Sequence, residues 1–111
     1  MKFANLGKIL TVASCSDTGV VRAHNEDALF VDADLGIAIL ADGMGGYNAG
    51  EVASGMATSF LASALETSFF DKPSAAGGEV NAPAFARTCL RESIEKANQA
   101  IYNAASCEPD F

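Results

Sequence analysis

Two short apolar runs, Ala28–Val31 and Ile37–Ala41, constrain this chain most, because each has an aspartate beside its outer end: Asp27 and Asp42. The polar stretch Asp32–Gly36 between them is rich in turn formers, so the pair reads as one β-hairpin. Centring the turn between Asp34 and Leu35 sets Asp27 opposite Asp42, Leu29 opposite Leu40 and Phe30 opposite Ile39. Opposed side chains in an antiparallel pair lie roughly 5 Å apart at Cβ, and opposed like charges weaken the pairing. Glu26 adds a third carboxylate beside Asp27. A hard divalent cation such as Mg²⁺ or Mn²⁺, which prefers carboxylate, carbonyl and water oxygens, gives the cluster a purpose. The glycines that follow Asp42 suit this reading, since they let the backbone approach a ligand and expose the Gly43 carbonyl. Simple solvation of acidic hairpin ends is the alternative, and spacing alone leaves both open.

Both faces of the hairpin are apolar, with Leu29 and Val31 on one side and Ala28 and Phe30 on the other. Such a sheet needs a covering layer on each face. Upstream, Ile9–Ser14 (ILTVAS) has the composition of a first strand and leads into the turn Ser16–Gly19. Downstream, Asn48 or Gly50 begins a helix with Glu51 in its first turn, where a negative charge is favourable. Ala53, Ala57, Phe60, Leu61, Ala64 and Leu65 recur at helical spacing, and the helix fades near Phe69 to Asp71. The stretch 72–78 reads as a surface loop. Pro83 suits the first turn of a second helix with Leu90, Ile94, Ala97, Ile101 and Ala104 as its apolar stripe. That helix ends near Cys107–Pro109. The expected fold class is therefore α+β: about three strands, then two long helices forming an antiparallel pair on one face of the sheet. Unpaired edges and an uncovered face make it look like half of a larger structure.

The 111 residues allow at most one domain, with no linker and no second core. A hydrophobic content of 50% with 19% charged residues is globular rather than disordered. The net charge of −7 argues against nucleic acid or an anionic membrane surface as partner. Cys15, Cys89 and Cys107 are odd in number and widely spaced, which fits neither a disulfide framework nor a zinc site. Buried, reduced thiols in a cytoplasmic protein are the expectation. Lys2 and Lys8 precede an apolar Ile9–Ala13 that is shorter than the roughly 7–15 residues of a signal's apolar region, so export is disfavoured. No segment approaches the roughly 20 apolar residues of a membrane span.

Other chemistries fit poorly. The glycines at 43–50 match neither a GxGxxG nor a Walker pattern, and no Lys-Ser or Lys-Thr follows them. A calcium loop starting at Asp32 would place Gly43 where a bidentate glutamate is required. Ser16, Ser54 and Ser59 lack a visible base, so a serine nucleophile is unsupported. His24 reads first as a surface histidine and second as an acid or hydrogen-bond donor near Glu26. Arg22 reads as a surface residue or as a fork of donors for a phosphoryl group brought near the metals.

The combination Ser16-Asp17-x-Gly19, Arg22-x-x-Asn25-Glu26-Asp27 and Asp42-Gly43-Met44-Gly45-Gly46, followed by Gly50-Glu51-x-Ala53-Ser54, resembles the bacterial metal-dependent protein phosphatases of the PPM (PP2C-like) family. The resemblance implies an α-β-β-α sandwich with a binuclear Mn²⁺ or Mg²⁺ centre between its sheets. By position it implies that Asp42 bridges both metals and that Glu26 and the Gly43 carbonyl ligate one of them. Asp27 would ligate or orient metal-bound water, and Arg22 would bind substrate phosphate; Arg22, Asp27 and Asp42 are thus the implied catalytic set. The implied reaction is hydrolysis of phosphoserine or phosphothreonine in proteins by a metal-bridged water, with a cognate Ser/Thr kinase in the same pathway. Some members carry a histidine after the glycine as general acid; Met44 stands here and cannot donate a proton. The family's domain is much longer, so residues 1–111 resemble its N-terminal portion, expected to be inactive or weakly active alone. A non-catalytic module that pairs with another chain through its open sheet edge is the second reading.

Overall fold

The computed structural model describes residues 6–20, 25–45, 49–70 and 82–107. Among these, β1 (Asp27–Asp32) and β2 (Ile37–Asp42) pair antiparallel in a two-stranded sheet, followed by α1 (Ala49–Phe70) and α2 (Ala82–Cys107). The register is the one expected from the turn centre, with Asp27 opposite Asp42, Leu29 opposite Leu40 and Phe30 opposite Ile39. The connection closes where the Gly36 N–H donates to the Ala33 carbonyl at 3.3 Å, and Gly36 takes a φ of 70° there. That left-handed conformation is natural only for glycine. The Leu35 N–H also donates to Asp32 Oδ1 at 3.2 Å, so the last side chain of β1 fastens the turn.

One face of this sheet is covered and the other is open. Ile37 and Ile39 are buried at 5% and 8% exposure, with Phe30 packed beside them, whereas Leu40 is 74% exposed. Alternation along the strands puts Asp27, Leu29, Leu40 and Asp42 together on the open face. The covering layer is α1, which contacts both strands and, on its other side, α2. Phe69 at the end of α1 meets Phe85 at the start of α2, ring centroids 6.3 Å apart, so the two helices run antiparallel.

This corrects the expected layering. The helices do not lie side by side on the sheet; α1 is sandwiched between the sheet and α2, and α2 reaches neither strand. A helix contacted on two sides needs small residues on its inner faces. Of the expected stripe Leu65 is buried as read and Phe60 is exposed; the other buried positions of α1 are the small residues Gly50, Ser54, Thr58 and Ala62. Thr58 Oγ1 donates to the Ser54 carbonyl at 2.7 Å, which satisfies a buried hydroxyl within its own helix. In α2, Ala97 of the expected stripe is buried as read and Ser93 joins it, while Leu90 and Ile94 are 43% and 53% exposed. Helix bounds agree with expectation at Phe70, at Pro83 and at Cys107. The loop at 72–78 lies outside the described residues.

Two further expectations are corrected. Ile9–Ser14 forms no strand: a short 3-10 turn at Leu6–Lys8 is followed by an exposed segment, with Ile9 at 76% exposure. Strand composition alone does not make a strand, and no edge of the sheet pairs with this segment. The cysteines are free as expected, but Cys15 and Cys107 are exposed and only Cys89 is partly buried. None of the described helices is long and apolar enough to cross a membrane.

The sheet and α1 also meet through two acids. Asp32 hydrogen-bonds the Glu66 carboxyl, and this bond first, desolvation second and Asp32's charge third raise Glu66 above the ordinary value of 4.5. A carboxyl raised in the folded state favours folding fully below its unfolded pKa, and that favour is lost as pH rises through the higher folded value. Glu66→Gln keeps a donor for Asp32 at every pH. Its urea midpoint is expected to gain on the wild type's as pH rises from 4.5 to 7. An unchanged difference between the two proteins across that range would exclude the pairing.

Candidate functional site

The open face ends in acids by construction. β1 starts at Asp27 and β2 stops at Asp42, and antiparallel pairing brings these residues directly opposite each other. Both side chains are exposed, and both lie on the uncovered side of the sheet. Glu26 is one residue earlier, so strand alternation sends it to the α1 side instead. There it lies against Gly50: a Cβ at Gly50 would stand 2.7 Å from Glu26 Cδ and 2.9 and 3.0 Å from Oε2 and Oε1. The three acids of the expected cluster therefore divide, two on the open face and one at the first turn of α1. Consistent with that split, no three Asp, Glu, His or Cys side chains among the described residues stand close enough to hold a metal ion.

Gly43 joins the two parts. Its N–H donates to the Glu26 carbonyl at 3.1 Å, extending the hairpin by one bond. A Cβ on Gly43 would collide with the Gly50 carbonyl oxygen and would stand 2.6 Å from the Glu26 carbonyl oxygen. Three backbones thus converge at Glu26, Gly43 and Gly50, and two of the three residues are glycines because nothing larger fits. Beyond them Met44 is 89% exposed.

The segment leading into β1 is anchored by Asn25. Its Nδ2 donates to Ser16 Oγ at 2.6 Å, and its Oδ1 accepts the Asp27 N–H at 3.0 Å. One side chain therefore ties the Ser16–Gly19 turn to the start of the acidic pair. Within that turn the Gly19 N–H donates to Asp17 Oδ1 at 2.7 Å, and Gly19 has a φ of 82°. These supporting roles for Ser16, Asp17, Asn25 and Gly50 were not assigned from the sequence, although all four stand in the quoted motifs. Arg22 and His24 lie outside the described residues.

The chain is 38% identical over 108 residues to the serine/threonine protein phosphatase PstP of Mycobacterium tuberculosis, a match covering 97% of this chain and 18% of that protein. It is 37% identical over 102 residues to the serine/threonine phosphatase stp of Listeria monocytogenes, covering 86% of this chain and 36% of the relative. Over most of its length the chain is thus similar to bacterial serine/threonine phosphatases. A second Listeria monocytogenes stp is 50% identical over 52 residues, 44% of this chain and 21% of its own length. The chain thus spans well under half the length of these phosphatases. No family model and no solved structure matches it. The PstP match takes in nearly the whole chain, so the hairpin, the glycines and both helices all fall within the shared region.

Proposed function

We propose that this chain is the N-terminal part of a single metal-dependent phosphatase domain that hydrolyses phosphoserine and phosphothreonine in proteins. The observation that carries the reading is the direct pairing of Asp27 with Asp42 on an uncovered sheet face, in a homologue of Ser/Thr phosphatases. A second sheet laid over that face would complete an α-β-β-α sandwich and enclose the acidic end between sheets. The donor types suit Mn²⁺ or Mg²⁺ by their chemistry: two opposed carboxylates on the open face, with a third, Glu26, and the Gly43 backbone on the α1 side. Asp27, Asp42, Glu26 and the Gly43 carbonyl would hold such ions, with further ligands supplied from outside this chain. Bound there, a pair of divalent cations supplies Lewis-acid stabilisation of phosphoryl charge and acidifies water.

The chain's own residues then have definite tasks. Asp42, at the last position of β2, offers a carboxylate to the space above the open face. Asp27 faces the same space from β1 and is held in register by the Asn25 amide. Arg22 is assigned to the substrate phosphate through its fork of donors. Met44, exposed next to Gly43, has no proton to give, so leaving-group protonation falls to another group or to solvent.

The test is hydrolysis of p-nitrophenyl phosphate and of a phosphothreonine peptide with Mn²⁺ and with EDTA, on the 111-residue chain and on the full-length gene product. Metal-dependent turnover by the full-length product, absent from the 111 residues, is the expected pattern. Turnover insensitive to EDTA in both would exclude the metal reading. A full-length product without turnover would favour the second reading, a non-catalytic module that pairs through its open sheet edge.

A further inference from the structure

Glycine is a poor helix former, disfavoured by about 1 kcal/mol against alanine in a helix interior. The helix α1 nevertheless contains two, Gly50 and Gly55, and their surroundings differ sharply. A Cβ at Gly55 would meet nothing within 4 Å. A Cβ at Gly50 would be driven into the Glu26 carboxylate, with all three of its terminal atoms at 3.0 Å or less. Gly50 is buried, and the Glu26 carboxylate is what lies over it. Its carbonyl is at the same time the group that excludes a side chain from Gly43. A single residue of α1 thus defines where the hairpin's end sits and where the Glu26 side chain lies.

We propose that Gly50 is a positioning residue for Glu26: its missing Cβ forms a cradle that holds the Glu26 carboxylate against the first turn of α1. This rests on the metal reading above for its consequence, since a carboxylate moved from that cradle is a ligand moved from its metal. The steric claim itself does not depend on a metal. Glu26 reaches the cradle because the Glu26 carbonyl is bonded to the Gly43 N–H, which fixes the backbone from which the side chain starts. With a methyl group at Gly50 the Glu26 carboxylate must swing out of this position, since its Cδ and both oxygens are what the added Cβ would meet.

The experiment is a double-mutant cycle on the full-length gene product, read first without metal and then with Mn²⁺. In the metal-free protein Gly50→Ala is expected to lower Tm by roughly 2–4 °C, the size of a modest overpacking clash in a longer chain. In a Glu26→Ala background, which removes Cδ and both carboxylate oxygens, the same substitution is expected to cost little or nothing. Gly55→Ala, the same chemical change where space is open, is expected to raise Tm. With Mn²⁺, Gly50→Ala is expected to weaken binding about 10–100-fold, as disturbed ligand supports do, with Gly55→Ala at wild-type affinity. Equal Tm losses with and without the Glu26 side chain would overturn the proposal, because the clash would then lie elsewhere. Wild-type Mn²⁺ affinity in Gly50→Ala would overturn it as well. Absence of Mn²⁺ binding in the wild type would overturn the metal reading, and the metal-free cycle would still decide the role of Gly50.

Discussion

Gly43→Ala is expected to lower stability by about 3 kcal/mol, the upper end of overpacking costs, and to shift the urea midpoint downward accordingly. The added Cβ would strike the Gly50 carbonyl and stand 2.6 Å from the Glu26 carbonyl oxygen, so the obstacles are backbone on both sides. A flexible side chain could swing aside; two carbonyls in bonded elements cannot. One of them belongs to the residue that accepts the Gly43 N–H, so moving it breaks the last bond of the hairpin. The other lies in the first turn of α1, so moving it lifts the helix from the sheet it covers. Among the described residues the positive-φ glycines are Gly19, Gly36 and Gly45, and Gly43 is not one of them. Its need for glycine is therefore one of space and not of backbone angle.

Gly19→Ala provides the opposite case and makes the test sharp. Gly19 has a φ of 82° with nothing within 4 Å of a Cβ, so its cost is conformational only, about 1 kcal/mol. Urea unfolding of the two variants at one pH checks the ordering. A Gly43→Ala loss no greater than that of Gly19→Ala would mean that the hairpin and α1 do not approach as closely as described.

Local chemistry made the hairpin legible. Asp32–Gly36 can turn only so many ways, and once the turn is centred the pairing of Asp27 with Asp42 follows from counting. Helix ends were legible for the same reason, through Pro83 and the start near Gly50. What the pattern hid was which neighbour each face would meet. Periodicity finds an apolar stripe, but α1 is touched on two sides, and the residues that matter there are Gly50, Ser54 and Thr58, which carry little hydrophobic signal. Ile9–Ser14 failed for a related reason: a strand is a statement about a partner, and ILTVAS has none among the described residues. The division of the acids followed from alternation that was available in the sequence. Glu26 and Asp27 are adjacent, so they had to leave the strand on opposite sides.

Asp42→Asn is expected to do two things of opposite sign. With Mn²⁺ present, phosphatase activity of the full-length product falls by at least about 100-fold, more than loss of a supporting residue costs, because Asp42 is assigned to the metals themselves. Without metal, the same variant is expected to be slightly more stable than the wild type, by roughly 0.5 kcal/mol, since asparagine removes one of two like charges set directly opposite each other. Asparagine is close to aspartate in shape, so packing gives no competing effect at this exposed position. Added Mn²⁺ then reverses the order, raising the Tm of the wild type well above that of Asp42→Asn, because a ligand stabilises the state that binds it. A residue that weakens the empty fold and strengthens the occupied one is retained for its ligand, not for the hairpin. Thermal melts of both proteins with and without Mn²⁺, beside the activity assay, measure all of this together. A metal-free Asp42→Asn that melts below the wild type would show that Asp42 is held by a favourable contact and would remove the electrostatic argument for a cation. Equal Mn²⁺ stabilisation of both proteins would move the metal away from Asp42 altogether.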